Sequence, residues 1–263
     1  MGVEVFCLLS IKRRKGVSLT ELLITILVLG IIMGAVLGFL SVFFSHFEVS
    51  SSGATARQRA EMVISILEGP VLHAGLGMQI APEKFKESFE EIYDHIITED
   101  NFPSPINITD DNGKLYLVYG KPTGLSIIEK DVDSSKIKVD GDIVLSAGSD
   151  WIVFPTGEVP YKVIGVDEYS KEITLRGKRD IEDIALFDQV YLVKFMEAYV
   201  DEKGFHAVDP RTGESFIVEG IRTFQATYFY DMKILLVEVE GYGVEGQEEE
   251  NEWLAVSWRV RNL

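Results

Sequence analysis

The chain has 263 residues, of which 46% are hydrophobic, and its formal net charge at pH 7 is −17. This charge argues against a nucleic-acid-binding protein, because contacts to phosphate need Lys and Arg side chains. It is instead typical of a soluble, self-repelling surface. Cys7 is the single cysteine, so no intrachain disulfide can form and a hydrophobic core must hold the fold.

A basic cluster stands directly before a long apolar segment near the N-terminus. Its residues are Lys12, Arg13, Arg14 and Lys15. Gly16 follows it, and from Leu22 to Phe47 there is no Asp, Glu, Lys or Arg. A helix needs about 20 apolar residues to cross a bilayer, so the segment is long enough to span a membrane. The basic cluster predicts that the N-terminus stays in the cytoplasm and that the rest is exported.

Glu21 is the acid that stands at the start of this apolar segment. A carboxylate inside a membrane segment is costly and is usually functional. A plain membrane anchor would leave Glu21 unexplained. A secretory signal peptide has a shorter apolar core and a small-residue cleavage site after it, and this segment has neither.

Gly30, Gly34 and Gly38 repeat at intervals of four residues, which makes two overlapping GxxxG patterns. Small residues at this spacing clear one helix face and let another helix approach closely. The alternative is a membrane helix that tolerates glycine without a packing role. The sequence leaves both interpretations open.

The remaining chain predicts an α+β fold, a long N-terminal helix packed on a largely antiparallel β-sheet head. Apolar residues at helical spacing continue the first helix beyond the apolar segment: Ala56, Ala60, Val63, Ile64 and Leu67. Arg57, Arg59, Glu61 and Glu68 are expected on its opposite, exposed side. Gly69-Pro70 predicts the end of this helix or a kink, and a second helix is predicted over residues 83–97.

Beyond Thr98, apolar and polar residues alternate, as in β-strands. Strands are predicted over residues 115–119, 125–129, 151–154, 161–166, 172–175, 189–199, 215–218, 224–230, 235–240 and 254–261. Turn signals such as Asn112-Gly113, Lys203-Gly204 and Thr212-Gly213 separate strands. No helix interrupts them, which predicts antiparallel pairing.

The chemical motifs of the head are weak. Gly241-Tyr242-Gly243-Val244-Glu245-Gly246 matches GxGxxG but lacks the helix and second parallel strand of a dinucleotide site, so a hairpin loop is the better interpretation. The four histidines, His46, His73, His95 and His206, are scattered and are expected at the surface. We therefore predict no catalytic residue, no metal site and no cofactor, although a triad assembled in space stays open.

Acidic residues in two segments could bind calcium but lack the EF-hand spacing. Asp110-Asp111-Asn112-Gly113 suits a turn, and Asp131-Val132-Asp133 is the second candidate. A run with five glutamates between Glu245 and Glu252 is expected to form a solvated loop, with a partner or cation contact as the alternative.

The basic cluster, Gly16, Glu21 and the apolar segment together resemble the prepilin leader of type IV pilins and type II secretion pseudopilins. The resemblance implies a leader of residues 1–16, cut after Gly16 by a prepilin peptidase, and N-methylation of Val17. It implies that Glu21 is the glutamate that sets register in assembly, pairing with its own N-terminus or that of a neighbour. The commonest first mature residue is Phe or Met, and many major pilins have proline where Gly38 stands, which weakens a major-pilin interpretation.

The head is similar, more loosely, to PilW-like minor pilins and the related J-type pseudopilins. The segments that carry this similarity are residues 220–230 and 254–261, Arg59-Ala60-Glu61 and His73-Ala74-Gly75. The implied organisation is a leader (1–16), a membrane and filament-core helix (17–47), its amphipathic continuation (48–69) and an extracytoplasmic head (70–263).

The resemblance implies a minor pilin or pseudopilin of the bacterial inner membrane that is later assembled into a pilus or pseudopilus. Its partners would be other pilins, the prepilin peptidase and N-methyltransferase, the assembly platform and the lipid bilayer, and it would not be an enzyme. The alternatives are a membrane-anchored ligand-binding protein or enzyme and a surface adhesin. The sequence does not choose between a pilus, a secretion system and a competence system.

Overall fold

The computed structural model describes residues 18–79, 81–109, 113–243, 251–260 and 262. It divides into two compact units, residues 1–50 and 51–263. The long helix α1 (Leu19–Leu72) contributes to both units. In the first unit, every described residue is exposed.

In the second unit, α1 buries one stripe of side chains: Ser52, Ala56, Ala60, Val63, Leu67 and Val71. Their spacing matches the helical repeat, as the sequence predicted. The helix does not end at Gly69-Pro70 but continues through Pro70 to Leu72. Proline so close to the helix end removes a single backbone hydrogen bond, and the fully buried Val71 holds the last turn.

The second helix, α2 (Pro82–Phe89), is shorter than the predicted segment, because residues 90–97 form turns. The Asp94 carboxylate accepts hydrogen bonds from the backbone N–H groups of Ile96 (2.7 Å) and Ile97 (2.8 Å). Such local bonds compete with helix formation. Burial opposes ionisation of Asp94, but these hydrogen bonds hold its pKa below the usual value.

Twelve strands build two antiparallel sheets. Their bounds are β1 (Ile106–Thr109), β2 (Lys114–Asp131), β3 (Lys136–Asp140), β4 (Trp151–Val153), β5 (Tyr161–Asp167), β6 (Glu172–Arg176), β7 (Gln189–Asp201), β8 (Gly204–Val208), β9 (Ser215–Val218), β10 (Ile221–Phe229), β11 (Ile234–Gly241) and β12 (Glu252–Arg259). Nine strands form one sheet in the order β1-β2-β3-β6-β5-β4-β7-β8-β9, and β10-β11-β12 form the other.

The larger sheet closes on itself, because β2 also pairs with β7. The first half of β2 runs beside β7, and its second half runs beside β3. The ring β2-β3-β6-β5-β4-β7 is therefore a small barrel, filled by side chains such as Ile127, Val139 and Phe154. This β2 strand replaces the two separate strands predicted over 115–119 and 125–129, and the sequence prediction contained neither β1, β3 nor β8.

Two further hydrophobic cores hold the head together. The first lies where the buried stripe of α1 meets both sheets, with Leu67, Leu117, Phe205 and Val237 among its residues. The second joins α2 and the turns after it to β2, β4 and β7, with Phe85 stacked on Phe89 at 4.2 Å. The predicted α+β class, a long helix with a largely antiparallel sheet head, is confirmed.

Candidate functional site

The first turn of α1 is closed by a reciprocal pair of hydrogen bonds between Ser18 and Glu21. The Glu21 backbone N–H donates to the Ser18 hydroxyl (3.2 Å), and the Ser18 backbone N–H donates to the Glu21 carboxylate (3.0 Å). This is a capping box, in which the side chains of the first and fourth residues satisfy each other's free N–H groups. Among the described residues, the Glu21 carboxylate is therefore bonded to a backbone amide of Ser18, which carries no formal charge.

The apolar part of α1 has no protein around it within the first unit. Large hydrophobic side chains from Leu19 to Val49 are exposed, for example Phe39 at 70% and Ile31 at 65%. By length and composition α1 is the one helix among the described residues that could cross a membrane, and an 18-residue stretch of it has a mean hydropathy of 2.8. Such a surface needs lipid or other helices against it, because water disfavours so much apolar area.

Gly30, Gly34 and Gly38 lie on this helix, and a Cβ added at any of them would meet no described atom within 4 Å. The glycines therefore have no packing partner within the described part of the chain. Phe39 and Phe43 stack with ring centroids 6.4 Å apart further along the helix. Whether the glycines form a packing face stays a prediction.

Several predicted site residues lie outside the described residues. These are the basic cluster Lys12, Arg13, Arg14 and Lys15, the glycine Gly16 and the new N-terminus Val17. The calcium candidates Asp110 and Asp111 and most of the glutamate run also lie outside them. Of the second calcium candidate, the Asp131 carboxylate accepts hydrogen bonds from the Ser134 hydroxyl (2.6 Å) and backbone N–H (3.4 Å), as in a turn.

The GxG part of the nucleotide-like motif is the place where the chain crosses closely over α1. A Cβ at Gly241 would overlap the Ala56 carbonyl oxygen, and one at Gly243 would overlap the Ser52 side chain. The glycines are needed for this approach of backbone to helix. Gly241 is the last residue of β11, and the next element among the described residues is the strand β12. The described residues therefore give the two glycines a packing role.

Arg59 fixes the same crossing, contrary to the expectation that it is exposed. Its Nη1 donates to the carbonyl oxygens of Tyr242 and Gly243, both at 2.6 Å. Its guanidinium also lies 5.8 Å from the centre of the Tyr242 ring. Gly220, with a φ of +75°, leaves the space that this guanidinium fills. Arg59 is therefore a structural residue that ties α1 to the end of β11.

The head contains a mainly apolar cavity of about 440 Å³ beside the end of α1. Ile66, Pro70, Tyr119, Met196 and Phe216 are among its lining residues. Lys194 and Asp209 form an ion pair at 3.2 Å on its wall. Burial, with the nearby carboxylates of Asp209 and Glu214, raises the pKa of Tyr119 to about 12.

A second cavity, of about 490 Å³, has a more polar lining that includes Arg211 and Asp94. Arg211 is held by the Ile92 carbonyl oxygen (2.7 Å) and lies over the Phe195 ring.

Among the described residues, no group of three or more His, Cys, Asp and Glu side chains could hold a metal ion. His206, expected at the surface, is buried, stacked on Tyr199 and bonded to Asp201 at 2.8 Å.

Comparison with known proteins places the similarity at the N-terminus. Residues 11–37 match the family model of the prokaryotic N-terminal methylation motif. The matched range includes the basic cluster, Gly16, Val17 and Glu21. No curated protein and no solved structure matches the chain.

The match supports a type IV pilin-like or pseudopilin-like precursor with a single apolar N-terminal helix, compatible with a membrane anchor. It covers no part of the head.

Sequence reasoning did not single out Ser18, although Ser18-Leu19-Thr20-Glu21 has the capping-box spacing. It also did not single out Arg59 as a packing residue, since its contacts depend on the distant residues Tyr242 and Gly243.

Proposed function

We propose that the chain is a minor pilin or pseudopilin that assembles through α1 into a type IV pilus-like filament or its tip complex. The observation that carries the proposal is the exposed apolar helix with one carboxylate, Glu21, at its start. The helix needs a lipid or protein environment, and the carboxylate needs a positive charge there. The match of residues 11–37 to the N-terminal methylation motif supports a leader cleavage, and this cleavage would free an amine that carries that positive charge.

In this proposal, cleavage after Gly16 frees the α-amine of Val17, which is then methylated and stays positive. A buried carboxylate without a countercharge is strongly destabilising. The capping box gives Glu21 one hydrogen bond but no charge, so the need for an ammonium group persists. The amine of the same chain, or of a neighbouring subunit, meets that need and sets the register of assembly.

The chain is oriented with its N-terminus in the cytoplasm and its head outside, in a bacterial inner membrane, until it enters the filament. Its partners are other major and minor pilins, the prepilin peptidase and methyltransferase, and the assembly platform. The chain acts through binding and carries out no catalysis itself. The looser sequence resemblance of residues 220–230 and 254–261 to PilW-like and J-type proteins favours a minor subunit over a major one.

Mass spectrometry of the membrane fraction tests the processing. Wild-type chain co-produced with an active prepilin peptidase should begin at a methylated Val17, and Gly16→Ala should keep its leader. A Gly16→Ala chain of mature size would refute the cleavage site.

Comparison of Glu21→Gln with Glu48→Gln tests the assembly role. Both changes remove one carboxylate from α1, but Glu48 lies beyond the apolar segment. Glu21→Gln should reach the membrane and fail to appear in sheared surface filaments, whereas Glu48→Gln should assemble. Equal recovery of both variants in filaments would remove the register role.

A membrane-anchored ligand-binding protein is the second candidate, and the apolar cavity of about 440 Å³ in the head favours it. Cavities of this size and character take small ligands. It predicts normal head function in a Glu21→Gln chain that stays in the membrane. The assembly proposal predicts loss of function in the same variant.

A further inference from the structure

The strand β9 (Ser215–Val218) lies at one end of the nine-stranded sheet. It pairs with β8 on one side, and no strand among the described residues pairs with its other side. Two of its large apolar side chains are exposed, Phe216 at 62% and Ile217 at 50%. An exposed, apolar edge strand is a ready template for pairing with another chain.

The register shows which backbone groups of β9 point away from β8. The Asp209 N–H donates to the Glu214 carbonyl oxygen at 2.8 Å just beyond the ladder. Hydrogen-bonded and non-hydrogen-bonded pairs alternate along an antiparallel ladder. The pair of Ala207 with Phe216 is therefore hydrogen-bonded, and the pair of His206 with Ile217 is not.

It follows that the N–H and C=O groups of Ile217, and of Ser215 two residues earlier, point toward the free edge. A strand added there would form hydrogen-bonded pairs with these two residues. Between them, Phe216 would face its new partner in a non-hydrogen-bonded pair, with Cβ atoms about 4.5–5.5 Å apart.

The mainly apolar cavity lies on the same face of the sheet as the Phe216 side chain, which lines it. Residues opposite each other in adjacent strands point to the same face. The residue of an added strand that faces Phe216 would thus direct its side chain toward the cavity, between the sheet and the last turns of α1 at Ile66 and Pro70. Edge strand and cavity together form one groove, called here the β9 groove.

The charges at the two ends of β9 favour one kind of occupant. Glu214 and Glu219 stand at the two ends of β9 and are exposed, and neither is in an ion pair among the described residues. A second copy of this chain paired antiparallel through β9 would bring Glu214 of one copy near Glu219 of the other. Neither end of such a pairing would gain a basic partner from β9, and like charges repel, so a segment with Lys or Arg at its ends is favoured over a second copy.

We propose that the β9 groove binds an extended segment of a partner protein by adding it to the sheet as a further strand. The segment has a large apolar side chain that enters the cavity and Lys or Arg residues at its ends. Backbone hydrogen bonds to Ser215 and Ile217 supply affinity, and the cavity supplies specificity, as in other strand-addition sites. The groove goes beyond the proposed assembly through α1, because it needs neither leader cleavage nor Glu21.

A synthetic peptide, Lys-Thr-Val-Leu-Val-Thr-Lys, labelled at one end, is the probe. Its leucine faces Phe216, and its two valines pair with Ser215 and Ile217. Binding is measured by fluorescence anisotropy with the full chain in detergent. Ile217→Pro removes one outward N–H that the ladder with β8 does not use, and Ile217→Ala is the matched control that keeps this N–H.

Wild-type chain and Ile217→Ala should bind the peptide with affinities within about threefold, since the Ile217 side chain points away from the cavity. Ile217→Pro should weaken binding about fivefold, the effect of one lost hydrogen bond of about 1 kcal/mol. A peptide N-methylated at both valines tests the same bonds without changing the protein, and it should lose binding even if Ile217→Pro folds poorly. A peptide with Asp in place of the leucine should also fail to bind.

Three results would overturn the proposal. The first is no binding of the leucine peptide at concentrations up to about 1 mM. The second is binding that neither Ile217→Pro nor N-methylation of the valines weakens, because the peptide would then lie elsewhere. The third is a dimer of the full chain that Ile217→Pro dissociates, which would make a second copy the occupant. None of these results bears on processing at Gly16 or on filament recovery of Glu21→Gln, so the two proposals fail separately.

Discussion

Ser18 and Glu21 each satisfy the backbone N–H of the other at the start of α1, with distances of 3.2 and 3.0 Å. Glu21 thus has a local structural role beside any role of its charge. The two roles can be separated, because a glutamine at position 21 keeps an oxygen acceptor and loses the charge. The capping bonds also hold the carboxylate toward the N-terminal side of the helix.

Ser18→Ala is expected to loosen the first turn of α1 while keeping the Glu21 charge. Loss of an N-cap hydroxyl costs about 1 kcal/mol, so backbone amides at residues 20–22 should exchange with deuterium about fivefold faster in micelles. Glu21→Gln should change exchange less than Ser18→Ala does. Ser45→Ala, in the same helix, is the control, and equal exchange in all three variants would contradict the capping box.

Arg59→Met is expected to lower the free energy of unfolding by about 2 kcal/mol. The change removes two hydrogen bonds from a charged donor to carbonyl oxygens, and it leaves those oxygens partly buried without a donor. Urea unfolding followed by tryptophan fluorescence measures the change. Arg57→Met is the matched control, because Arg57 is exposed and its partner among the described residues is Glu61 on its own helix. An equal midpoint for both variants would show that Arg59 does not tie α1 to β11.

Gly243→Ala is expected to destabilise the head, and Gly53→Ala to stabilise it. A methyl group at position 243 would overlap the Ser52 side chain and carbonyl oxygen, which forces a shift that costs about 1–3 kcal/mol. At Gly53, within α1, an added Cβ would lie 3.9 Å from the Glu252 carboxylate, an ordinary contact distance, and alanine should gain up to about 1 kcal/mol in a helix. Thermal unfolding of both variants should give shifts of opposite sign, and a Gly243→Ala chain as stable as wild type would contradict the close crossing.

The stability of the head is expected to fall as the pH rises from about 10 to 12. Burial raises the pKa of Tyr119 to about 12, and the carboxylates of Asp209 and Glu214 add to this effect. An unfolded tyrosine ionises near pH 10, so above that pH the unfolded chain releases a proton that the folded chain retains. The contribution of Tyr119 is complete below pH 10 and is lost toward pH 12.

Tyr119→Phe should therefore flatten the decline of the urea midpoint between pH 10 and 12. Tyr161 shares this behaviour, because burial raises its pKa to about 12 as well, and Tyr119→Phe should leave that part of the decline. Tyr169→Phe is the control, since Tyr169 is fully exposed. A decline as steep in Tyr119→Phe as in wild type would contradict the burial of the Tyr119 hydroxyl.

The sequence predicted those features that depend on local periodicity. The α1 stripe from Ala56 to Leu67 follows from helical spacing, and β11 and β12 follow from strict alternation. The shorter α2 could not be predicted in this way, because the apolar residues Ile92 and Ile97 are buried from turns that Asp94 organises. The residues of β8 are nearly all buried, so they show no alternation to read.

Features built from distant residues were beyond sequence reasoning. The barrel depends on the pairing of β2 with β7 and of β4 with β7, which no local pattern encodes. The role of Arg59 depends on Tyr242 and Gly243, and the β9 groove depends on the cavity beside α1. By contrast, β3 alternates Ile137 and Val139 with lysines, so its absence from the prediction was an avoidable error.

The barrel also has a consequence for how this head can be rebuilt. The chain enters the barrel along β2 and leaves it along β7, and Pro122 and Tyr191 face each other across these two strands. A two-residue turn could therefore join the strands there and replace the whole intervening segment as a cassette. The shortened head would keep the core between α1 and the two sheets and would lose Trp151 and Val153, which share a hydrophobic core with Phe195 and α2. Different cassettes grafted at this junction would give one helix-bearing scaffold a series of exchangeable outer modules.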